Sequence, residues 1–302
     1  MALDFTGRVA IVTGAGGGLG RLHALALAAR GARVVVNDYG GARDGGGGSS
    51  TAAQAVADEI IGLGGQALAH GASVTDLAAV ADMVAQTMAA WGRVDILVNN
   101  AGILRDKSFS KMSVDDFRAV VEVHLMGAVH CCKAVWPHMV AQNFGRIVMT
   151  TSSTGLFGNF GQSNYGAAKM ALVGLMQTLS IEGAKYDIRV NCLAPTAATR
   201  MTEGLLPQEV LAVLQPEAVV PALLVLASAD APNRAIACAG AGTFAAAHVT
   251  LTHGVHLGLT ADTPERLIEA WAQVSDRTDD SVPASGAAQG SNEVGQALAN
   301  RR

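Results

Sequence analysis

The stretch Arg8-Val-Ala-Ile-Val-Thr-Gly-Ala-Gly-Gly-Gly-Leu-Gly20 decides how the rest of the chain is read. Arg8 to Thr13 is a short β-branched run stopped by glycine, the pattern of a buried strand. From Gly18 to Arg30 the apolar residues Leu19, Leu22, Ala26 and Leu27 recur at helical spacing, and Gly31 marks the stop. Arg33 to Asn37 repeats the strand signature and runs into Asp38. A glycine-rich turn between strand and helix lets bare peptide amides, and the partial positive charge of a helix N-terminus, approach a pyrophosphate. Gly14, Gly18, Leu19 and Gly20 therefore predict a dinucleotide loop. Asp38, 18 positions beyond Gly20, is placed to hold ribose hydroxyls and to repel a 2′-phosphate, which favours NAD over NADP. Arg21 and Arg33 are nearby cations that soften this preference.

Outward from this unit the alternation continues. Helical periodicity is expected over about 52–63, 77–91, 114–142 and 161–185, and strands over 66–70, 94–98, 146–150 and 188–192. A further helix is expected at 216–227 and a closing strand within 235–250. Such βα alternation predicts an α/β fold, a doubly wound parallel sheet of about seven strands with helices on both faces. Ligands in such a sheet gather at the carboxyl ends of the strands. Ser73 and Val74 end the third strand, where an adenine ring would lie, and Asn100, Ala101 and Gly102 end the fourth, beside a nicotinamide ribose. The expected organisation is one cofactor-binding domain over 1–260 and a C-terminal extension over 261–302. From Ser275 onward Asp, Ser, Gly and Gln predominate without periodicity, which predicts a loose tail.

Composition narrows the class. Of 302 residues half are hydrophobic and 15% charged, too apolar for a disordered chain. The net charge of −4 offers no basic field, so a nucleic-acid partner is not expected. The four cysteines, Cys131, Cys132, Cys192 and Cys238, make neither a disulfide framework nor a metal pair, and no metal is expected. The chain begins without a cationic, apolar leader, shows no span apolar enough for a bilayer, and ends in Asn-Arg-Arg rather than a peroxisomal Ser-Lys-Leu type address. A cytoplasmic location is the expectation.

Tyr165 and Lys169, four apart on one helix face, carry the chemistry. A free phenol titrates near 10, so working as a base near pH 7 requires roughly 4 kcal/mol of differential stabilisation. A lysine cation and the positive ring of an oxidised nicotinamide both push that way. Tyr165 could then take a proton from an alcohol as hydride leaves for NAD, with Ser152, thirteen residues earlier, hydrogen-bonding the same oxygen. Isolated, a Tyr-x-x-x-Lys pair is commonplace on a helix surface; with the glycine loop and Ser152 it is not.

Together, Thr13 to Gly20, Asn99 to Gly102, Ser152 and Tyr165-x-x-x-Lys169 resemble the short-chain dehydrogenase/reductase family. The resemblance covers about residues 6–215 and implies a single Rossmann-type domain, hydride transfer between nicotinamide and a carbonyl or alcohol, and a homodimer or homotetramer. The segments Asn37 to Gly41, Gly102 to Phe109, Gly158 to Gln162 and Ala198 to Thr202 resemble one branch. That branch contains the (3R)-hydroxyacyl-CoA dehydrogenase domain of peroxisomal multifunctional enzymes type 2 and bacterial relatives proposed to act on steroids or acyl-CoA side chains. Many family members place an Asn in the long fourth helix to close a proton relay through water; His124 stands there, as a relay imidazole or as a packed core histidine. The usual Pro-Gly that follows the sixth strand is here Pro195-Thr196.

Two substrates are implied: a (3R)-hydroxyacyl-CoA, with Arg105, Lys107, Lys133 and Arg200 either offered to the CoA phosphates or simply solvated surface cations, or a steroid alcohol such as a 17β-hydroxyl. An apolar pocket of Leu156, Phe157, Met201 and Leu205 would suit either, and core packing is the equal alternative for these side chains. An NADP-dependent ketoacyl reductase conflicts with Asp38, and a non-catalytic NAD-binding regulator has no use for Ser152, Tyr165 and Lys169 together. Helical stretches around Val121 to Val135 and Met170 to Ile181 are apolar beyond what one sheet face consumes, as expected of a two-fold oligomer contact.

Overall fold

The computed structural model describes residues 2–42, 44–198 and 207–301. The chain divides into two compact units, one ending at Ala246 and one starting at Ala247. The first unit is organised on a sheet of β1 (Val9–Thr13), β2 (Arg33–Asn37), β3 (Gln66–His70), β4 (Ile96–Asn99), β5 (Gly145–Thr150), β6 (Ile188–Pro195), β7 (Ile236–Gly240) and β8 (Thr243–Ala247). Their order is β3-β2-β1-β4-β5-β6-β7-β8, and every pair from β3 to β7 runs parallel. The order reverses between β1 and β4, the crevice in which such sheets bind ligands.

The sheet has eight strands where about seven were expected. Ala241 and Gly242, at φ 50° and 73°, form a two-residue turn that sends β8 back beside β7. Such hairpins usually announce themselves by Asn-Gly or Asp-Gly. An alanine in the left-handed region hides this one.

Helices connect the strands singly or in pairs: α1 (Gly18–Ala28), α2 (Thr51–Gly62), α3 (Leu77–Trp91), α4 (Val114–Val121), α5 (Gly127–Gln142), α6 (Ser153–Phe157), α7 (Ser163–Gly183), α8 (Gln208–Val213) and α9 (Val220–Ala227); the second unit holds α10 (Thr263–Glu269). Two more, α11 (Trp271–Val274) and α12 (Ala287–Ala299), complete the second unit. On one sheet face Ala24 and Leu27 of α1, Val56 and Ile60 of α2 and Leu223 of α9 pack on Val12 and Val34. The opposite face is covered by α5 and α7, with α3 and α4 beside them. Buried on both faces, the central strands read as unbroken apolar runs rather than alternating ones.

The segment Val114–Gln142 has the length and apolarity of a membrane-crossing helix, but in this fold it is a layer helix that buries Val120, Ala128, Cys131, Val135 and Met139. It is not regular: Glu122–Met126 is a turn of π-helix between α4 and α5. In the second unit Leu251 and Ser281 form an antiparallel bridge, and α12 is a helix within the stretch whose composition predicts a loose tail. Its alanines explain the helix, and none of its residues is buried.

At the amino edge of the sheet six charges interlock. Asp95, with no exposed side-chain surface, accepts from Arg8 at 3.0 Å, from Arg93 Nε at 2.7 Å and from the Val9 amide at 2.9 Å. Arg146, also buried, donates to the carbonyls of Gly145, Asp187, Ser228 and Ala229 and to the Asp187 carboxylate, which also pairs with Arg189. The Phe144 ring lies between the Arg8 and Arg146 guanidinium groups, 3.8 and 4.1 Å from its centroid.

Candidate active site

At the carboxyl edge the glycine loop forms a cradle that side chains would fill. Gly14 sits at φ 63°, and a methyl group there would lie 2.8 Å from Ala101 Cα; on Gly20 it would strike the Gly14 carbonyl oxygen. Gly18 faces open space, and Gly17 caps α1 without any side-chain hydrogen bond. The first-turn amides around Leu19 are therefore left for an anion. The residues present fit a dinucleotide. Asp38 stands against the cradle, Oδ2 accepting the Gly16 amide at 2.7 Å and Oδ1 the Gly40 amide at 2.6 Å. A carboxylate has about four lone-pair sites, so both oxygens keep capacity for hydroxyl donors.

Asn100 latches the two central strands together, its Nδ2 donating to the carbonyls of Thr13 and Gly14 at 3.0 and 3.1 Å, while the Ala101 amide donates to Thr13 Oγ1. Gly102 leaves room for the His124 ring, which a side chain there would hit. Val74 is buried on Gly127, and its carbonyl lies 2.9 Å from His130 Nδ1, a contact that sequence reading missed. Ser73 bonds Thr75 beside it. Pro195 ends β6, and the Thr196 amide donates to Ala239 O at 2.8 Å, tying that loop to β7.

Ser152 ends β5's extension and caps α6, accepting the Thr154 amide at 3.2 Å, and its hydroxyl is near enough to the Tyr165 phenol to draw that group's pKa down. Tyr165 lies in the first turn of α7 and Lys169 one turn later. Gly155 lets α6 sit directly on Lys169. The Lys169 ammonium donates to Thr150 O at 2.5 Å and lies 5.5 Å from the Tyr165 ring centroid. Burial draws Lys169 down to about 7, opposed by the Cys192 thiol. Burial also pushes the Tyr165 phenol up, against the Ser152 hydrogen bond and with the help of the Asp106 charge. Both partners of the pair are thus desolvated together.

His124 falls in the π turn. Its Nε2 lies 2.8 Å from Ile103 O and 3.1 Å from Ile103 N, so either neutral tautomer finds a backbone partner there. Burial, then the Lys169 charge, holds this imidazole well below its usual range, with Ile103 opposing. Its ring meets that of Tyr165 edge-on at 5.2 Å. His124, Lys169, Asn99 and Thr13 line a cavity of about 10 Å³ for water centres, room for one water. Buried beside it or nearby, His124 Nδ1, Asn99 Oδ1 and Thr150 Oγ1 have no partner among the described residues.

Of the cations considered for CoA phosphates, two share one acid. Arg105 and Lys107 both face Asp116, at 3.3 and 3.1 Å, and its carboxyl is held low by Ser113 and Lys107. Lys133 is exposed on α5. Leu156 is half-buried, while Phe157 is exposed. Arg200, Met201 and Leu205 lie outside the described residues. Two exposed rings on the neighbouring loops, Phe109 and Phe160, were missed; aromatic residues set among Gly and Ser were the available signal.

Comparison with known proteins agrees with this geometry. Residues 8–209 match the family model described as short chain dehydrogenase. Peroxisomal multifunctional enzyme A of Dictyostelium discoideum is 47% identical over 287 residues, 94% of this chain and 64% of that protein. The full-length peroxisomal multifunctional enzyme type 2 of Drosophila melanogaster superposes with a TM-score of 0.81 at 38% identity, covering 98% of this chain and 50% of that one. This chain thus spans less than two thirds of these relatives. A 7α-hydroxysteroid dehydrogenase complexed with NADH and 7-oxo glycochenodeoxycholic acid superposes with a TM-score of 0.71 at 31% identity, covering 79% of this chain and 95% of that one.

Proposed function

The chain belongs to the short chain dehydrogenase family of nicotinamide-dependent oxidoreductases, and from that premise we propose that it oxidises (3R)-hydroxyacyl-CoA thioesters with NAD. The observation that carries the reading is the convergence of Ser152, Tyr165 and Lys169 at the carboxyl edge, beside a glycine cradle closed by an acid, Asp38. The acyl-CoA choice rests on the likeness to the multifunctional enzymes along nearly the whole chain.

Gly14, Gly18, Leu19 and Gly20 would seat the pyrophosphate, Asp38 the adenosine ribose, Ser73 and Val74 the adenine wall. Asn100, Ala101, Gly102, Pro195 and Thr196 would border the nicotinamide end. When bound, the oxidised cofactor supplies the hydride acceptor and a second positive charge beside the phenol. Ser152 Oγ orients the substrate hydroxyl, and Tyr165 Oη accepts its proton. Lys169 holds the phenolate by charge. His124 Nδ1, at the cavity that Lys169 also lines, is the next atom able to carry the proton away through a single water.

A second reading, oxidation of a hydroxysteroid such as a 17β-alcohol, is favoured by the likeness to the 7α-hydroxysteroid dehydrogenase. One panel separates them: (3R)-hydroxyacyl-CoA thioesters and steroid alcohols, each assayed with NAD and NADP. Thioester oxidation with NAD is expected. Steroid turnover alone would transfer the reading to the second substrate, faster NADP reduction would overturn the role of Asp38, and inert behaviour toward both would overturn both. We also read the chain as a cytoplasmic homodimer or homotetramer, supported by four free cysteines and by Met170 and Ile181 exposed on α7. The peroxisomal names of the relatives point to another compartment, which fluorescent tagging of the native chain would decide; light scattering at the mass of one chain would dispose of the oligomer.

A further inference from the structure

The loop between β2 and α2 is a glycine-rich strap with a tied neck. The Ser49 amide donates to Tyr39 O at 2.8 Å. The Tyr39 ring lies on Gly48, where a methyl group would fall 2.5 Å from Tyr39 Cζ. Gly40, at φ 72°, has no room for a side chain, which would strike Ser49 O. At the tip the Gly45 amide donates to Ala42 O at 2.9 Å, and Asp44 Oδ1 accepts the Gly46 amide at 3.0 Å.

The root of the strap is Asp38, whose Oδ1 accepts the Gly40 amide. Its tip crosses to the loop after β4, where Arg105 Nε donates to Asp44 O at 2.9 Å and a methyl group on Gly45 would touch Ile103 at 3.4 Å. Arg105 has two further engagements. Its Nη1 lies 3.3 Å from Asp116 in the first turn of α4, and its carbonyl accepts from Asn164 Nδ2 at 3.0 Å. Asn164, fully buried, uses its Oδ1 to accept the Tyr165 amide at 2.7 Å. One residue thus joins the strap rooted at the ribose acid to the peptide of the candidate base. Ile103, under the tip, is also the backbone partner of His124.

We propose that Arg105 is a positioning residue that pins this strap across the site, so that a cofactor seated on Asp38 and the start of α7 are held in one register. The assignment rests on the NAD reading of Asp38. Glycine segments lose more freedom on ordering than any other, so a strap of this composition depends on its few tethers. Arginine suits the task because its fork serves Asp44 O and Asp116 at once; a lysine ammonium is a point donor that serves one well.

The test compares wild type with Arg105→Ala, Arg105→Lys and Asp116→Asn. It reads KM for NAD, KM for the alcohol, kcat, and hydrogen exchange of the 40–50 peptide without ligands. Arg105→Ala should raise KM for NAD about tenfold, the worth of one hydrogen bond to a charged donor. It should also lower kcat, leave KM for the alcohol unchanged, and speed exchange at Gly45 to Ser49. Arg105→Lys should recover part of both effects, and Asp116→Asn, which spares the Asp44 tether, should change KM for NAD less than about twofold. Unchanged exchange and unchanged KM for NAD in Arg105→Ala would overturn the proposal. So would an equal effect of Asp116→Asn, which would assign the effect to the ion pair. If Arg105→Ala fails to fold, the Lys variant decides by the same readouts. Failure of the NAD reading looks different: wild type would not bind NAD, while strap exchange would still depend on Arg105.

Discussion

The two edges of the same sheet follow opposite rules. At the amino edge Arg8, Arg93, Asp95, Arg146, Asp187 and Arg189 are all paired, two of them in full burial, and an aromatic ring fills the gap between two guanidinium groups. At the carboxyl edge Asn99 Oδ1, His124 Nδ1 and Thr150 Oγ1 are buried without partners among the described residues, and a lysine is desolvated until it sits near neutrality. Buried polar groups are ordinarily satisfied, because an unmet one costs roughly 1–3 kcal/mol. The amino edge obeys that rule and holds the strands together. The carboxyl edge breaks it at the residues to which the proposed function assigns the proton and the ligand.

Substitutions at the two ends should therefore fail in different ways. The largest effect is expected at the carboxyl edge. Tyr165→Phe should lower kcat about 10³-fold, within the range for removing an acid–base group, while NAD titration and thermal melting stay at wild-type values. A loss of NAD binding with kcat reduced only in step would merge the two edges into one structural role. Next, Arg146→Leu should lower unfolding stability by about 3 kcal/mol, since it strands two buried and two part-buried carbonyls and a carboxylate. In denaturant titrations this should appear as an earlier midpoint, with kcat per folded molecule unchanged; a fall in kcat at unchanged stability would break the contrast.

The third and smallest effect concerns His23, a buried imidazole in α1 with neither nitrogen bonded among the described residues. Burial draws it down to about 3 from an unfolded value of 6.5. Between those values the unfolded chain binds the proton and the folded chain does not. Stability should thus fall as pH drops below 6.5, by about 2 kcal/mol at pH 5. His23→Leu should flatten that acid limb in melts run from pH 7 to 5. A limb of unchanged depth would place the titration elsewhere.

What could be read in advance follows the distance over which each signal acts. The β1–α1–β2 unit, the α3 limits and the Tyr165–Lys169 pair rest on periodicity and spacing within a few turns, and they stand where those patterns put them. The amino edge was invisible because Arg8 and Asp95, or Arg146 and Ser228, are more than 80 residues apart and only the strand order brings them together. Arg105 and Lys107 looked like free cations because nothing local reveals Asp116 folding back on them. The hairpin to β8 escaped because its turn uses alanine, and the π turn because no residue type marks an i to i+5 bond.

That π turn carries one more consequence. A residue added to an α-helix rotates everything after it by about 100°. Straightening Glu122–Met126 at constant chain length would therefore swing Cys131, Val135 and Met139 off the sheet, or else turn Val120 out of its own packing. The bulge is trapped between two anchored ends, as a wrinkle is held in a rug nailed down on both sides. Selection acting on oily contacts far from the chemistry thereby keeps the imidazole where it is.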